Sequence, residues 1–144
     1  MTAVPQYVEG HNLLLGKSVL ITAAAGAGIG FATAKRAVEE GARAVIISDI
    51  HAARLERAVE SLIGLNRDTK IEGYICDVTS EKSVQDLVKT AEASLSGVDV
   101  LINNAGLGGT RSLVEMSDED WFKVIDVTLT GTMRMTRAML GFMR

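Results

Sequence analysis

Residues 17–30 read KSVLITAAAGAGIG, and this stretch decides the fold. Its apolar run from Ser18 to Ile21 predicts a short strand buried on both faces, since such strands are continuous rather than alternating in hydrophobicity. A turn built only from alanine and glycine follows the run, and helical spacing begins at Ile29. The stretch therefore predicts a strand that leads through a tight glycine loop into a helix.

The loop carries Gly26, Gly28 and Gly30. Glycine has no Cβ, so a ligand can come close to the backbone there, and the N–H groups at the start of a helix suit the phosphates of a pyrophosphate. A second interpretation stays open, because turns rich in glycine and alanine also serve the close packing of a helix on a strand.

Composition limits the classes of protein to consider. The chain has 144 residues, 47% apolar and 23% charged, which is ordinary for one globular domain. A net charge of −3 and the lack of a basic cluster argue against a nucleic-acid partner. No apolar run approaches the length of a membrane span, and the first residues lack the features of a secretory signal. Because Cys76 is the only cysteine, we expect a reducing, cytoplasmic location.

Two apparent motifs fail on inspection. Gly16-Lys17-Ser18 matches the end of a phosphate-binding P-loop, but His11 stands where that motif requires its first glycine. The predicted strand also follows this segment, whereas a P-loop follows its strand. His11 and His51 have no second ligand at metal spacing, so we predict no metal site.

Strand and helix patterns alternate along the rest of the chain. Residues 1–16 predict an irregular arm, and residues 17–144 predict one domain. Further strands are predicted over residues 44–48, 71–76 and 98–102, and helices over residues 29–41, 55–63 and 84–95. The SDED run at residues 117–120 resembles a capping box that starts a fourth helix, which can continue to the end of the chain. The predicted fold class is α/β: a Rossmann-like, doubly wound parallel sheet, incomplete, with four strands and four helices.

Ligands of such sheets bind at the carboxyl ends of the strands, near the switch point between the first and fourth strands. Asp49 ends the second predicted strand, nineteen positions after Gly30. At that offset a carboxylate accepts hydrogen bonds from the adenosine ribose, and it would repel a 2′-phosphate. Ala27 adds no positive charge to the loop, although His51 and Arg54 lie close enough in sequence to soften the repulsion. This favours NAD over NADP; the alternative role for Asp49 is to cap the helix that begins near His51.

Taken together, residues 13–144 resemble the short-chain dehydrogenase/reductase family. The resemblance is carried by the Leu-Gly-Lys before the first strand, Gly28-Ile29-Gly30, Asp77-Val78, the Asn-Asn-Ala-Gly run at residues 103–106, and Trp121 with the VIDVTLTGT stretch. It implies a dinucleotide site with the pyrophosphate and nicotinamide side along the glycine loop, the ribose at Asp49, the adenine at Asp77-Val78 and the cofactor lined by residues 104–106. The candidate cofactor-binding residues are Ala24, Gly26, Ala27, Gly28, Ile29, Gly30, Asp49, Ile50, Asp77, Val78, Asn104, Ala105 and Gly106.

The chain departs from the family pattern in three places. The family's first loop glycine and the threonine before it fall at Ala24 and Ala23, and a methyl group at position 24 is expected to narrow the phosphate pocket. The family's asparagine in the long last helix, part of its proton relay, corresponds to Thr128. The catalytic serine and the Tyr-x-x-x-Lys pair are absent, since the only tyrosines are Tyr7 and Tyr74.

These observations leave two functional classes. In the first, the chain is the amino-terminal, cofactor-binding portion of an oxidoreductase that transfers hydride between NAD(H) and a secondary alcohol or ketone, truncated before the catalytic half. The alanine-rich loop resembles that of relatives acting on acyl-CoA or steroid-derived carbonyls. This portion holds no catalytic residue and is expected to be inactive alone. In the second, it is a non-catalytic nucleotide-binding or interaction module that ends at Arg144.

The end of the chain predicts association. The fourth strand should be a bare sheet edge, because no fifth strand follows it. The last helix carries apolar side chains on more than one face, which together with the resemblance predicts a homodimer or homotetramer formed across this helix; the alternative is that a carboxyl-terminal half of the protein covers the same surface. Those side chains belong to Met133, Met135, Met139, Leu140, Phe142 and Met143.

Overall fold

The computed structural model describes residues 4–108 and 111–143, so the first three residues of the predicted arm, and Arg144, lie outside the described residues. The strands are β1 (Ser18–Ile21), β2 (Ala44–Asp49), β3 (Lys70–Ile75) and β4 (Val100–Ile102). The first three helices are α1 (Ile29–Glu39), α2 (Ala52–Ile63) and α3 (Glu81–Ser94). We call the remainder the last helical stretch; it comprises α4 (Asp118–Ile125), a π-helical segment (Asp126–Thr130) and α5 (Gly131–Met139).

The sheet confirms the predicted fold class. Its four strands are parallel and lie in the order β3-β2-β1-β4. Val19 of β1 pairs with Val45 on one side and with Val100 on the other. Because β1 and β4 are neighbours, the loops that follow them leave the same edge of the sheet on either side of the switch point.

The central strands β1 and β2 are largely apolar and fully buried because helices cover both faces of the sheet, whereas the edge strand β3 includes Lys70 and Glu72. Val19 and Ile21 point to the face that packs against α1 and α2. Leu20 and Ile46 point to the opposite face, which packs against α3 and α5. This two-sided core holds the strand ends, and therefore the loops that follow them, in fixed register.

Both predicted helix signals are confirmed. Gly41 follows α1 with a φ of +77°, a conformation that costs glycine little, and its N–H donates to the Val38 carbonyl at 3.1 Å. Ser117 precedes α4, and its Oγ accepts the Asp120 N–H at 3.1 Å. The capping residue thus fixes where the last helical stretch begins.

The last helical stretch departs from the single regular helix that the sequence predicted. The π-helical segment adds a residue to one turn, and α5 ends at Met139. No residue of α4 is buried, and both Trp121 and Leu129 are exposed. The extra residue breaks the helical spacing, so the face that packs against α3 is instead Gly131, Met135 and Met139.

The expected apolar surface at the chain end is therefore smaller than predicted. Met135 and Met139 are fully buried, and Phe142 and Met143 are partly buried against the same core cluster. Met133 and Leu140 remain exposed. The β4 edge is not wholly bare either, because Met143 forms a parallel bridge with Val98 just before β4.

The arm lies against the carboxyl end of α1 without forming a strand or helix of its own. Oε2 of the buried Glu40 accepts the N–H groups of Leu13, at 3.0 Å, and His11, at 2.7 Å, and Arg36 donates to the other oxygen. These hydrogen bonds favour the charged carboxylate and lower the pKa of Glu40 to about 2. Glu40 therefore holds the arm on the domain together with Arg36, which also donates to the Val8 carbonyl oxygen.

Candidate functional site

The glycine loop presents open backbone at the start of α1. A Cβ built on Gly28 would meet no atom within 4 Å, and one built on Gly26 would have only the Gly28 nitrogen near it, at 3.9 Å. Gly28 precedes the first residue of α1, and no side chain among the described residues caps this helix start. The free N–H groups and the positive end of the helix dipole suit an anionic ligand.

Gly30 has a different role in the same loop, since a Cβ there would lie 2.4 Å from Nδ2 of Asn104. That nitrogen donates to the carbonyl oxygens of Thr22 and Ala23, both at 3.0 Å. The Thr22 Oγ1 in turn accepts the N–H groups of Asn104 and Ala105, again at 3.0 Å. Close packing thus explains Gly30, whereas it does not explain Gly26 or Gly28.

The alanines of the loop are arranged differently from the sequence expectation. Ala23 adopts a left-handed backbone with φ +51°, which is unusual for a residue other than glycine. Ala24 is fully buried, and its N–H donates to the Ser48 carbonyl at 3.0 Å. Its methyl group packs into the core, so the expectation that it narrows the phosphate pocket is wrong.

Asp49 connects the end of β2 to the glycine loop. Its Oδ2 accepts the Ala25 N–H at 3.3 Å, and its Oδ1 accepts the His51 N–H at 3.0 Å. His51, rather than Asp49, immediately precedes α2, so Asp49 forms a turn before the helix and does not cap it. Each carboxylate oxygen has a second lone pair, which leaves acceptor capacity for the hydroxyl groups of a ligand.

Asp77 combines a structural role with a free acceptor. Its Oδ1 accepts the N–H of Thr79 at 2.9 Å and the Thr79 hydroxyl at 2.7 Å, which shapes the turn after β3. Its other oxygen has no hydrogen-bond partner within the described part of the chain. The turn therefore holds a carboxylate oxygen ready for a donor such as an amino group.

A cleft of about 890 Å³ runs along the carboxyl ends of the strands and is closed on its far side by α4. It brings together Asp49, Ile50, Asp77, Val78, Ala105 and Gly106 from the predicted set. Gly26 and Ala27 instead line a separate groove with Arg54 and Arg57, while Gly28, Ile29, Gly30 and Asn104 line neither space. The sequence analysis assigned no cofactor-binding residue to the far wall, although Asp126 and Val127 belong to the VIDVTLTGT stretch; that wall is Glu119, Phe122, Lys123, Asp126 and Val127.

Thr128 fastens the loop that follows β4. Its Oγ1 accepts the Leu107 N–H at 3.1 Å and lies 3.4 Å from the Leu107 carbonyl oxygen, to which it donates. A Cβ on Gly106 would be 3.7 Å from the Thr128 side chain, so the loop and the π-helical segment are in contact. The threonine that replaces the family's asparagine thus positions one wall of the cleft.

In the part of the chain that the structure describes, the acidic side chains of the cleft and Lys123 are its ionisable groups besides Cys76, and no tyrosine is among the residues that line it. Tyr7 contacts Glu39 from the arm, and Tyr74 lies on β3, where burial and Glu72 raise its pKa. Cys76 does line the cleft, but burial raises the pKa of its thiol to about 11. In residues 4–108 and 111–143 no acidic, histidine or cysteine cluster could hold a metal, and no helix has the length and hydrophobicity to cross a membrane.

Comparison with known proteins identifies the family of the chain. A model described as "short chain dehydrogenase" matches residues 17–144. The chain is 49% identical over 146 residues to a Mycobacterium tuberculosis protein named (5R,7aS)-5-hydroxy-7a-methyl-1-oxo-2,3,5,6,7,7a-hexahydro-1H-indene-carboxyl-CoA reductase, covering 100% of this chain and 54% of that one. It is 38% identical over 130 residues to a Thermotoga maritima 3-oxoacyl-[acyl-carrier-protein] reductase, covering 90% and 51% respectively. The chain spans about half the length of the curated relatives it matches.

Solved structures agree with this result. A short chain dehydrogenase from Mycobacterium smegmatis superposes with a TM-score of 0.91 at 48% identity, covering 97% of this chain and 57% of that one. A xylitol dehydrogenase with bound NAD+ gives 0.83 at 32% identity, covering 90% and 49%. A Gluconobacter frateurii L-sorbose reductase with NADPH gives 0.82 at 28% identity, covering 90% and 48%. These structures contain both nicotinamide cofactors.

Proposed function

The chain belongs to the short-chain dehydrogenase family of oxidoreductases, and on that premise we propose that it is the cofactor-binding part of an NAD(H)-dependent enzyme. The observation that carries the proposal is the open backbone of Gly26 and Gly28, aligned along one sheet edge with the Asp49 and Asp77 carboxylates. A phosphate group of the ligand would be repelled if it were bound directly beside the Asp49 and Asp77 carboxylates. The loop and the acidic strand ends therefore suit different parts of one ligand.

The chain's residues fit a dinucleotide in this way. The N–H groups around Gly28 would hold the pyrophosphate, because they are unpaired donors at a helix start. Asp49 would accept hydrogen bonds from the adenosine ribose, with Ile50 beside it, and Asp77 would accept one from the adenine amino group. Ala105 and Gly106 would line the remaining length of the cofactor, and Asn104 would brace them through its hydrogen bonds to the Thr22 and Ala23 carbonyl oxygens.

Asp49 supports NAD over NADP. The 2′-phosphate of NADP would stand next to a carboxylate that already accepts two backbone hydrogen bonds and is held in place by them. Arg54 and Arg57 line the neighbouring groove rather than the cleft that Asp49 lines. Like charges close together in a partly buried site disfavour binding.

When bound, the cofactor supplies or accepts the hydride that interconverts a secondary alcohol and a ketone. The chain's own residues supply its orientation and a partly enclosed cleft. No serine and tyrosine–lysine set is present to exchange the hydroxyl proton, so residues 1–144 alone should show no alcohol–ketone turnover. Steady turnover by this purified chain would reveal an acid or base that we have not identified.

The substrate class is proposed from the resemblance. The Mycobacterium tuberculosis relative is named for a bicyclic carboxyl-CoA substrate, and the Thermotoga maritima relative for an acyl carrier protein thioester. We therefore propose a ketone or secondary alcohol carried on an acyl-CoA, including steroid-derived acids. We also propose a cytoplasmic homodimer or homotetramer, formed across the exposed side of α5.

A substitution at Gly28 tests whether the loop holds the cofactor. Gly28→Ser places a Cβ in the open space of the loop while supplying a residue that favours helix starts, so the fold should be kept. The matched control is Gly141→Ser, since a Cβ at Gly141 also meets no atom within 4 Å. Fluorescence titration should show weaker NADH binding for Gly28→Ser only. Equal affinity in both variants would reject the loop as the pyrophosphate site.

A further inference from the structure

Val78 lies at the end of β3 in the wall of the cleft, and the last helical stretch holds it there. The residue is 7% exposed. Gly131 packs directly on it, since a Cβ built on Gly131 would come within 2.8 Å of the Val78 Cγ2. The close approach means that a shift of α5 would move the Asp77-Val78 turn with it.

Arg134 makes a second connection to the same turn. One guanidinium nitrogen, Nη1, lies 2.8 Å from the Asp126 Oδ1 and 3.4 Å from the Val78 carbonyl oxygen. The Arg134 side chain is only 19% exposed, so its charge is partly shielded from water and its interactions are less screened. Asp126 itself lines the opposite wall of the cleft. A single nitrogen therefore ties the two walls together.

Arg134 also supplies a positive charge next to a cleft that is lined mainly by carboxylates. Asp49, Asp77, Glu119 and Asp126 all line the cleft, and among residues 4–108 and 111–143 only one basic residue, Lys123, lines it. Without Arg134, the Asp126 carboxylate would have no ion-pair partner among the described residues. It would then repel both the other carboxylates and the phosphates of an approaching ligand.

We propose that Arg134 is a positioning residue for the adenosine half of the cofactor, because it fixes the Val78 wall and neutralises Asp126. This inference rests on the proposed dinucleotide site. It assigns to Arg134 no contact with the ligand: the residue acts through Val78 and Asp126. The consequence is selective, since the glycine loop and Asn104 do not touch Arg134 and should be unaffected by its loss.

The test compares Arg134→Met with Arg137→Met. Arg137 lies on the same helix as Arg134 and forms an exposed ion pair with Glu81 of α3, which the control substitution removes. AMP probes the adenosine half, reduced nicotinamide mononucleotide probes the other half, and NADH probes both; binding is measured by calorimetry and folding by thermal denaturation. Arg134→Met should weaken AMP and NADH by about tenfold, which corresponds to the loss of one charged hydrogen bond. Binding of the mononucleotide should be unchanged, and Arg137→Met should resemble wild type.

Other outcomes overturn the inference. Unchanged AMP affinity in Arg134→Met would show that the contact is incidental, and an equal loss for AMP and the mononucleotide would show general damage. If Arg134→Met fails to fold, Arg134→Gln decides: it keeps an N–H donor but removes the charge that pairs with Asp126, so AMP affinity should fall below wild type, and a wild-type value contradicts the inference. If the wild-type protein binds neither NADH nor AMP, the proposed function fails rather than the role of Arg134 alone.

Discussion

Asn104 lies so close to Gly30 that a Cβ on the glycine would come within 2.4 Å of the asparagine nitrogen. The asparagine cannot easily give way, because the same nitrogen donates to the Thr22 and Ala23 carbonyl oxygens at 3.0 Å. The contact joins the start of α1 to the ends of β1 and β4. The contact between the glycine loop and Asn104 therefore requires glycine at position 30.

Gly30→Ala should therefore destabilise the domain. We expect a loss of about 1–3 kcal/mol in the free energy of unfolding, the usual effect of forcing an extra methyl group into a packed region. Urea denaturation measures it, with Gly141→Ala as the control in open space. A Gly30→Ala variant as stable as this control would mean that the loop and Asn104 are not locked together.

Asp49→Ser should reduce the preference for NADH over NADPH. The substitution removes the charge that repels a 2′-phosphate and one acceptor for the ribose. The Kd for NADPH divided by the Kd for NADH should therefore fall by about tenfold or more. Because Asp49 also accepts the Ala25 N–H, some loss of NADH affinity should accompany the change. An unaltered ratio, measured by fluorescence titration, would exclude Asp49 from cofactor selection.

Glu40 should make the docking of the arm depend on pH. Its pKa is lowered to about 2 by the Leu13 and His11 N–H groups, from an ordinary 4.5. A lowered pKa means that this contribution to stability is complete above about pH 4.5 and is lost as the pH falls toward 2. The protection factor of the Leu13 N–H, which is the exchange rate of an unfolded peptide relative to that of this N–H at the same pH, should fall over that range, and Glu40→Gln should show a low protection factor at neutral pH. Exchange that is slow and identical in both proteins would contradict this role.

Two methionines of α5 allow association to be tested separately from folding. Met133→Glu adds charge to an exposed position, whereas Met135→Glu adds it to a fully buried one. In light scattering Met133→Glu should shift a dimer or tetramer toward monomer while keeping the cofactor site. Met135→Glu should unfold the domain, because an unpaired charge in the core is very costly. A protein that is monomeric before any substitution would remove the interface proposal without affecting the fold.

The sequence predicted the sheet well because β1, β2 and β4 are nearly continuous apolar runs and the turns carry glycine and aspartate. Asp49 and Asp77 could be placed at one edge because parallel strands end together. Thr22 was missed as the residue that joins β1 to β4, although a polar residue at the end of a buried strand is a signal that could have found it. The π-helical segment could not be predicted, since a single inserted residue leaves no composition or spacing of its own. Consequently the packed face of α5 and the contacts of Arg134 emerged only from the structure.

The central claim is that this sheet edge binds a dinucleotide and that Asp49 selects NAD. Calorimetric titration of the purified protein with NADH and with NADPH measures both parts in one comparison. We predict saturable binding of NADH at one site per chain and weaker binding of NADPH. Tighter binding of NADPH, or no saturable binding of either cofactor, would contradict the claim.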